Sequence, residues 1–290
     1  MKKLAIGTAQ FGQNYGVSNI NGQVKYITAK EILSYASKNN IKTLDTAIAY
    51  GNSEEIIGKC GASEFDVITK LPIAPKNVNS YSSWAQKNFS LSLERLNRKK
   101  IYGLLLHSSS NFLGKQGHDL YQTMTMFKEK GLVDKIGVSI YDPDELNILE
   151  DSGIKLDIVQ TPFNMLDRRI ETSGWLNKLS QNGTEVHSRS VFLQGLLLQD
   201  KNHRNPYFSK WRNYFNKLDS WIYDTKQTSL SAALNFSYSY KDINKLLVGV
   251  QNKLQLTEII NSISQDYSHS LPEELRIDDP LLINPTNWRL

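Results

Sequence analysis

Residues 41–71, IKTLDTAIAYGNSEEIIGKCGASEFDVITKL, decide the fold. A short apolar run, IKTLDTA (41–47), gives way near 53–60 to a segment with apolar residues at helical spacing. Gly61 closes that helix, and FDVITKL (65–71) resumes the apolar run. The unit reads strand, helix, strand. Its strands are almost continuously apolar, the pattern of a parallel sheet buried on both faces.

The alternation continues in both directions. Further strands are predicted at 3–9, 102–108, 134–140, 156–163, 184–190 and 244–250. Helices are predicted near 28–39, 80–97, 118–130, 142–151, 170–182, 229–240 and 253–264. Eight strand–helix units predict an α/β fold, a (β/α)8 TIM barrel forming a single domain over 1–290. The competing doubly wound sheet announces itself with G-x-G-x-x-G after an early strand, and GTAQFGQNYG (7–16) has the wrong spacing. Two segments fall outside the repeat. Residues 193–228 read as an elaborated loop plus helix after strand 7, with Trp211, Tyr214, Phe215 and Trp221 packing. The tail from about 265 carries the turn signals DDP and NPTN and no clear helix.

Composition narrows the function. Hydrophobic residues make up 40% of the chain and charged residues 22%, values that support a folded core. The net charge of +5 is dispersed, without the concentrated basic face that nucleic acid requires. The single cysteine, Cys60, excludes an intramolecular disulfide and a thiolate metal cluster. The basic start MKKLAIGTAQFG is too short in apolar residues for a leader, and no run approaches a membrane span. A cytoplasmic protein without nucleic-acid or membrane partners is expected.

In a barrel of this kind the active site lies at the C-terminal ends of the strands. Asp45 and Tyr50 follow strand 2, Lys70 ends strand 3 and His107 ends strand 4. Taken singly, Asp45 also reads as a turn cap and Tyr50 as a packed aromatic. Together they supply a phenol, an ammonium, a carboxylate to hold that ammonium, and an imidazole. A tyrosine with a pKa of about 10 is a weak acid at neutral pH, and a nearby cation favours its phenolate. The set suits delivery of a proton to a carbonyl oxygen as hydride arrives at carbon. No P-loop, nucleophile elbow or paired-histidine helix offers another chemistry, and the five histidines form no ligand set.

At these residues the chain resembles the aldo-keto reductase family, NAD(P)H-dependent barrel oxidoreductases. The resemblance runs through GTAQFG (7–12), LDTAIAYGNSEEIIG (44–58), VITK (67–70), LLLH (104–107), IGVSIYDPDEL (136–146), VQTPFN (159–164) and VGVQNKLQLTEII (248–260). It implies that Tyr50 is the proton donor, Lys70 its acidifier, Asp45 the partner of Lys70 and His107 the substrate-orienting group. By the same likeness Ser139 and Gln160 hold the nicotinamide amide, with Asn164 nearby, and Arg189 stands where an aromatic commonly stacks on that ring. Gly195 would approach the pyrophosphate. Gly249, Gln251, Lys253 and Gln255 fall in the adenosine-phosphate region, at a strand-to-helix turn suited to phosphate. Ile140 and Ile259 replace asparagines common in relatives, and Gln255 replaces an arginine. NADP(H) or NAD(H) is implied, NADP(H) slightly favoured.

The opening GTAQFGQNYGVSNINGQV, together with RSVFLQGLLL (189–198), resembles a bacterial branch associated with sugar or polysaccharide metabolism. A small carbonyl substrate, aldehyde or ketone and including sugar-derived ones, is therefore expected. Phe11, Tyr15, Tyr141 and Phe163 are candidates for the mouth of the site. The alternative is a sensor on the same fold that binds NAD(P)H with little or no turnover.

Overall fold

The computed structural model describes residues 1–290 apart from 18, 20, 76, 265 and 266. Eight strands close into a barrel in sequence order, each parallel to its neighbours. They are β1 (Leu4–Gly7), β2 (Thr43–Asp45), β3 (Asp66–Leu71), β4 (Ile101–Leu106), β5 (Val133–Ser139), β6 (Ile158–Pro162), β7 (Glu185–Arg189) and β8 (Lys245–Gly249). The expected (β/α)8 barrel is the fold.

Side chains alternate across each strand, so residues two apart share a face. Ile68, Leu105 and Ile158 meet inside the barrel as a small apolar plug, apart from the large core between strands and helices. Two residues further along their strands stand Lys70, His107 and Gln160. The parity that fills the barrel with aliphatic groups thus aims these polar groups at its C-terminal mouth. Below the plug, Glu185 accepts hydrogen bonds from Tyr102 Oη at 2.7 Å and Lys135 Nζ at 2.6 Å, closing the other end.

Some local expectations change and others hold. The helix expected over 170–182 is two, Arg169–Thr172 and Trp175–Gln181, parted by Gly174 at φ 81°. The aromatic segment after β7 folds as short 3-10 turns followed by the helix Arg212–Asp224. Trp211 and Phe215 are buried there, and Tyr214 and Trp221 pack against the core. The tail contains a one-turn helix, Pro280–Ile283, that the sequence reading missed; Asp279 caps it by accepting from the Leu281 N–H at 2.9 Å.

Candidate active site

Lys70 and Asp45 form the buried centre. Lys70 Nζ donates to both carboxylate oxygens of Asp45, at 2.8 and 2.7 Å, and to the Thr46 carbonyl at 2.9 Å. Gln160 Nε2 donates to Asp45 Oδ1 at 2.7 Å from across the barrel. Burial pulls the Lys70 ammonium below the usual lysine range, and the Asp45 carboxylate opposes that fall.

Tyr50 lies in the turn after β2. Its ring stands 5.2 Å from Lys70 Nζ, centroid to nitrogen, and 5.7 Å from the His107 ring at an edge-on angle of 79°. Two glycines make this turn fit. Gly51 takes a φ of 54° against the Gly12 carbonyl, and a Cβ on Gly12 would fall 1.6 Å from the Tyr50 carbonyl oxygen. The short helix Ala9–Gly12 can therefore press directly on the turn that carries the phenol.

Burial, and then the Asp45 carboxylate, push the Tyr50 phenol above the ordinary tyrosine range. The Arg189 guanidinium works against them. Burial and then the Lys70 charge pull His107 down from 6.5 to about 4, so its imidazole is neutral at pH 7. The site combines a protonated phenol, a neutral imidazole and a buried ion pair.

These groups open on a cavity of about 410 Å³. Asp45, Tyr50 and His107 line its deep end together with Ser139, Gln160 and Arg189. Gly195, Gly249, Gln251 and Gln255 line its extension across the later loops. Ten of the twelve expected site residues therefore share one chamber. Lys70 is fully buried behind it. Lys253 is exposed and outside the lining, with its ammonium 5.1 Å from the Tyr35 ring centroid.

Of the aromatic candidates, Tyr15 and Tyr141 flank the cavity, 39% and 38% exposed. Phe11 and Phe163 do not: both are buried at 0% exposure, Phe163 against Phe236 and Tyr240. Asn164 is also buried. It ties its own loop, accepting from the Leu166 and Asp167 amides and donating to the Ser190 carbonyl.

The sequence reading missed Gln10, Asn19, Ser190 and Glu258, all on the cavity wall, where Gln194 also stands beside Gly195 as the pyrophosphate reading implied. Glu258 follows Gln255 by three residues, a helical spacing that was open to inspection. Ser190 and Gln194 hold positive φ values of 58° and 53°, conformations that sequence does not announce.

The chamber suits a dinucleotide. Its far wall includes Gly249, where a Cβ would stand 2.7 Å from the Gln10 side chain, and the start of the helix Lys253–Asn261. Asn252 caps that helix by accepting from the Gln255 N–H, while Gln255 Oε1 accepts from the Gln251 N–H at 2.8 Å. Among the described residues no helix is long and apolar enough to cross a membrane.

A chamber at the C-terminal mouth of a closed barrel, with a phenol, an imidazole and a buried Lys–Asp pair, defines a class of barrel oxidoreductase. The Aldo/keto reductase family model matches residues 3–275, and the chain belongs to that family. It is an oxidoreductase of the NAD(P)H-dependent, carbonyl-reducing type. No curated protein matches the chain. Among solved structures it is similar to an aldo-keto reductase from Bacillus halodurans in its holo form, at 17% identity and a TM-score of 0.74, with 94% of this chain and 89% of the other covered. It is also similar to a glycerol dehydrogenase from Gluconobacter oxydans, at 19% identity and a TM-score of 0.69, covering 92% and 88%. At those identities the likeness speaks for the fold.

Proposed function

We propose that Tyr50 is the proton donor in reduction of a small carbonyl, with His107 orienting the carbonyl oxygen and Lys70–Asp45 fixing the phenol's surroundings. The observation that carries this reading is placement: the Tyr50 phenol lines the cavity together with Asp45 and His107, and the His107 ring stands edge-on to it at 5.7 Å. Neutral His107, edge-on to the same ring, can donate one N–H to the oxygen that Tyr50 protonates. When bound, the reduced nicotinamide supplies the hydride. Ser139, Gln160 and Arg189 would face its ring end, and Gly195, Gly249, Gln251 and Gln255 its phosphate and adenosine end.

A lysine in the adenosine-phosphate region, Lys253, would favour NADP(H) if its ammonium met the 2′-phosphate. With that ammonium over Tyr35 and Gln255 engaged in capping, neither residue supports a grip on a 2′-phosphate as placed. Both dinucleotides therefore belong in the test.

A sugar-derived carbonyl is compatible with the mouth, where the Tyr15 ring and the Gln10 side chain line the cavity. The solved relative named as a glycerol dehydrogenase is consistent with a polyhydroxylated partner. Titration with NADH and NADPH, followed by aldehydo- and keto-sugars, tests the reading. Carbonyl-dependent oxidation of either dinucleotide supports it. Tight binding without turnover across the panel would return the sensor alternative.

A further inference from the structure

Arg189 is a cation in the chamber without a carboxylate in contact. It ends β7, paired in register with Pro162 of β6. Its Nη2 donates to the Ile140 carbonyl at 2.8 Å, and its guanidinium lies 4.2 Å from the Tyr141 ring centroid. Its buried Nε has no hydrogen-bond partner among the described residues. No described carboxylate comes within ion-pair distance: Asp45 is held by Lys70 and Gln160, and Asp167 by Arg169. The guanidinium is thus pinned by a carbonyl, an aromatic face and a long contact from Nη1 to the Ser190 hydroxyl at 3.5 Å, none of which cancels its charge.

That charge reaches the reacting groups. It opposes protonation of Tyr50, Lys70 and His107 alike. Arg189 and Tyr50 line one cavity and the guanidinium acts on the phenol, so a ring bound to deliver hydride next to Tyr50 would lie within reach of the same charge. Reduction moves a hydride from a neutral ring to the carbonyl carbon and a proton from Tyr50 to its oxygen, and leaves the ring cationic. Like charges a few ångströms apart inside a protein cavity repel strongly, and salt screens them less than it screens exposed charges.

We propose that Arg189 selects the oxidation state of the cofactor, so that this chamber holds the reduced dinucleotide more tightly than the oxidised one. The inference rests on the NAD(P)H reading above. It makes Arg189 a specificity-determining residue that hastens release of the spent cofactor and biases the protein towards reduction.

The test is a pair of dissociation constants. Reduced NADH or NADPH is titrated by its own fluorescence, and NAD⁺ or NADP⁺ by displacing it. Phosphate and adenosine contacts are common to both forms and cancel in the ratio. Wild type is expected to favour the reduced form. In Arg189→Met that ratio should contract by about tenfold or more, since at an effective dielectric near 20 a like-charge repulsion amounts to about tenfold even at roughly 12 Å. The contraction should come from tighter binding of the oxidised form. Arg189→Lys should keep most of the ratio, because it keeps the charge. Arg189→Gln serves in place of the methionine variant if that one fails to fold.

An unchanged ratio in the neutral variant, with both constants moving together, would overturn the inference and leave Arg189 as packing or phosphate support. An unchanged ratio together with a raised KM for a carboxylated carbonyl would also overturn it, and would assign the cation to the substrate. Failure of wild type to bind either form would defeat the cofactor reading itself, an outcome distinct from both.

Discussion

Lys70 stands over the face of the Tyr50 ring, its ammonium 5.2 Å from the centroid, and is not hydrogen-bonded to the Tyr50 hydroxyl. All three of its hydrogen bonds run to Asp45 and Thr46. An ammonium that rotates about its stem can turn one donor towards the phenol only by releasing one of these partners. In the structure as it stands, Lys70 organises the floor beneath Tyr50 and holds its charge over the ring, and the Arg189 guanidinium adds a second cation that favours the phenolate.

The buried pair should therefore matter to stability as well as to catalysis. Its side chains are 1% and 4% exposed, and removing one partner strands the other's charge. Lys70→Met is expected to cost about 3–5 kcal/mol of folding free energy in denaturant titration. Adding Asp45→Asn should recover part of that loss. A single variant as stable as wild type would show that Asp45 is not held as a buried anion.

Acid should weaken the fold through histidine. Folded His107 resists protonation down to about 4, whereas the unfolded chain takes up that proton near 6.5. Its contribution is present above 6.5 and is lost as pH falls towards 4. His187, buried beside Glu185 and also pulled down, adds to the same slope. Denaturant titrations across that window should show a shallower loss in His107→Gln than in wild type. Identical slopes would remove His107 from the explanation.

Gly12 should behave as part of the active site although it carries no side chain. The added Cβ of Gly12→Ala meets backbone at 1.6 Å from the Tyr50 carbonyl and 2.7 Å from the Ser53 amide. The turn must move, and a displacement of about 1 Å can cost on the order of 10²-fold in rate. The expected result is a large fall in kcat with a small change in dinucleotide affinity. A variant that folds and keeps its kcat would show that the turn tolerates the shift.

The barrel and the catalytic end of its cavity were legible because both follow from period-two alternation. Ile68 then Lys70, Leu105 then His107, and Ile158 then Gln160 each put an aliphatic group in the plug and a polar group above it. Other features depend on contacts between distant segments. Gln160 meets Asp45 across 115 residues, which no spacing rule reveals. Phe11 and Phe163 follow strands as mouth residues would, yet both turn into the core. Lys253 opens a helix at the expected place, but its long stem carries the charge to Tyr35. The positive φ values at Ser190, Leu193 and Gln194 are set by packing of the segment after β7 and have no glycine to signal them.

The most direct measurement compares wild type with Tyr50→Phe in dinucleotide binding and in carbonyl-dependent oxidation of NADH or NADPH. With Tyr50 as the proton donor, both proteins bind the reduced dinucleotide with similar affinity, and the variant turns over about 10²–10⁴-fold more slowly. Turnover in Tyr50→Phe equal to wild type would contradict the assignment and move the proton to another group in the chamber.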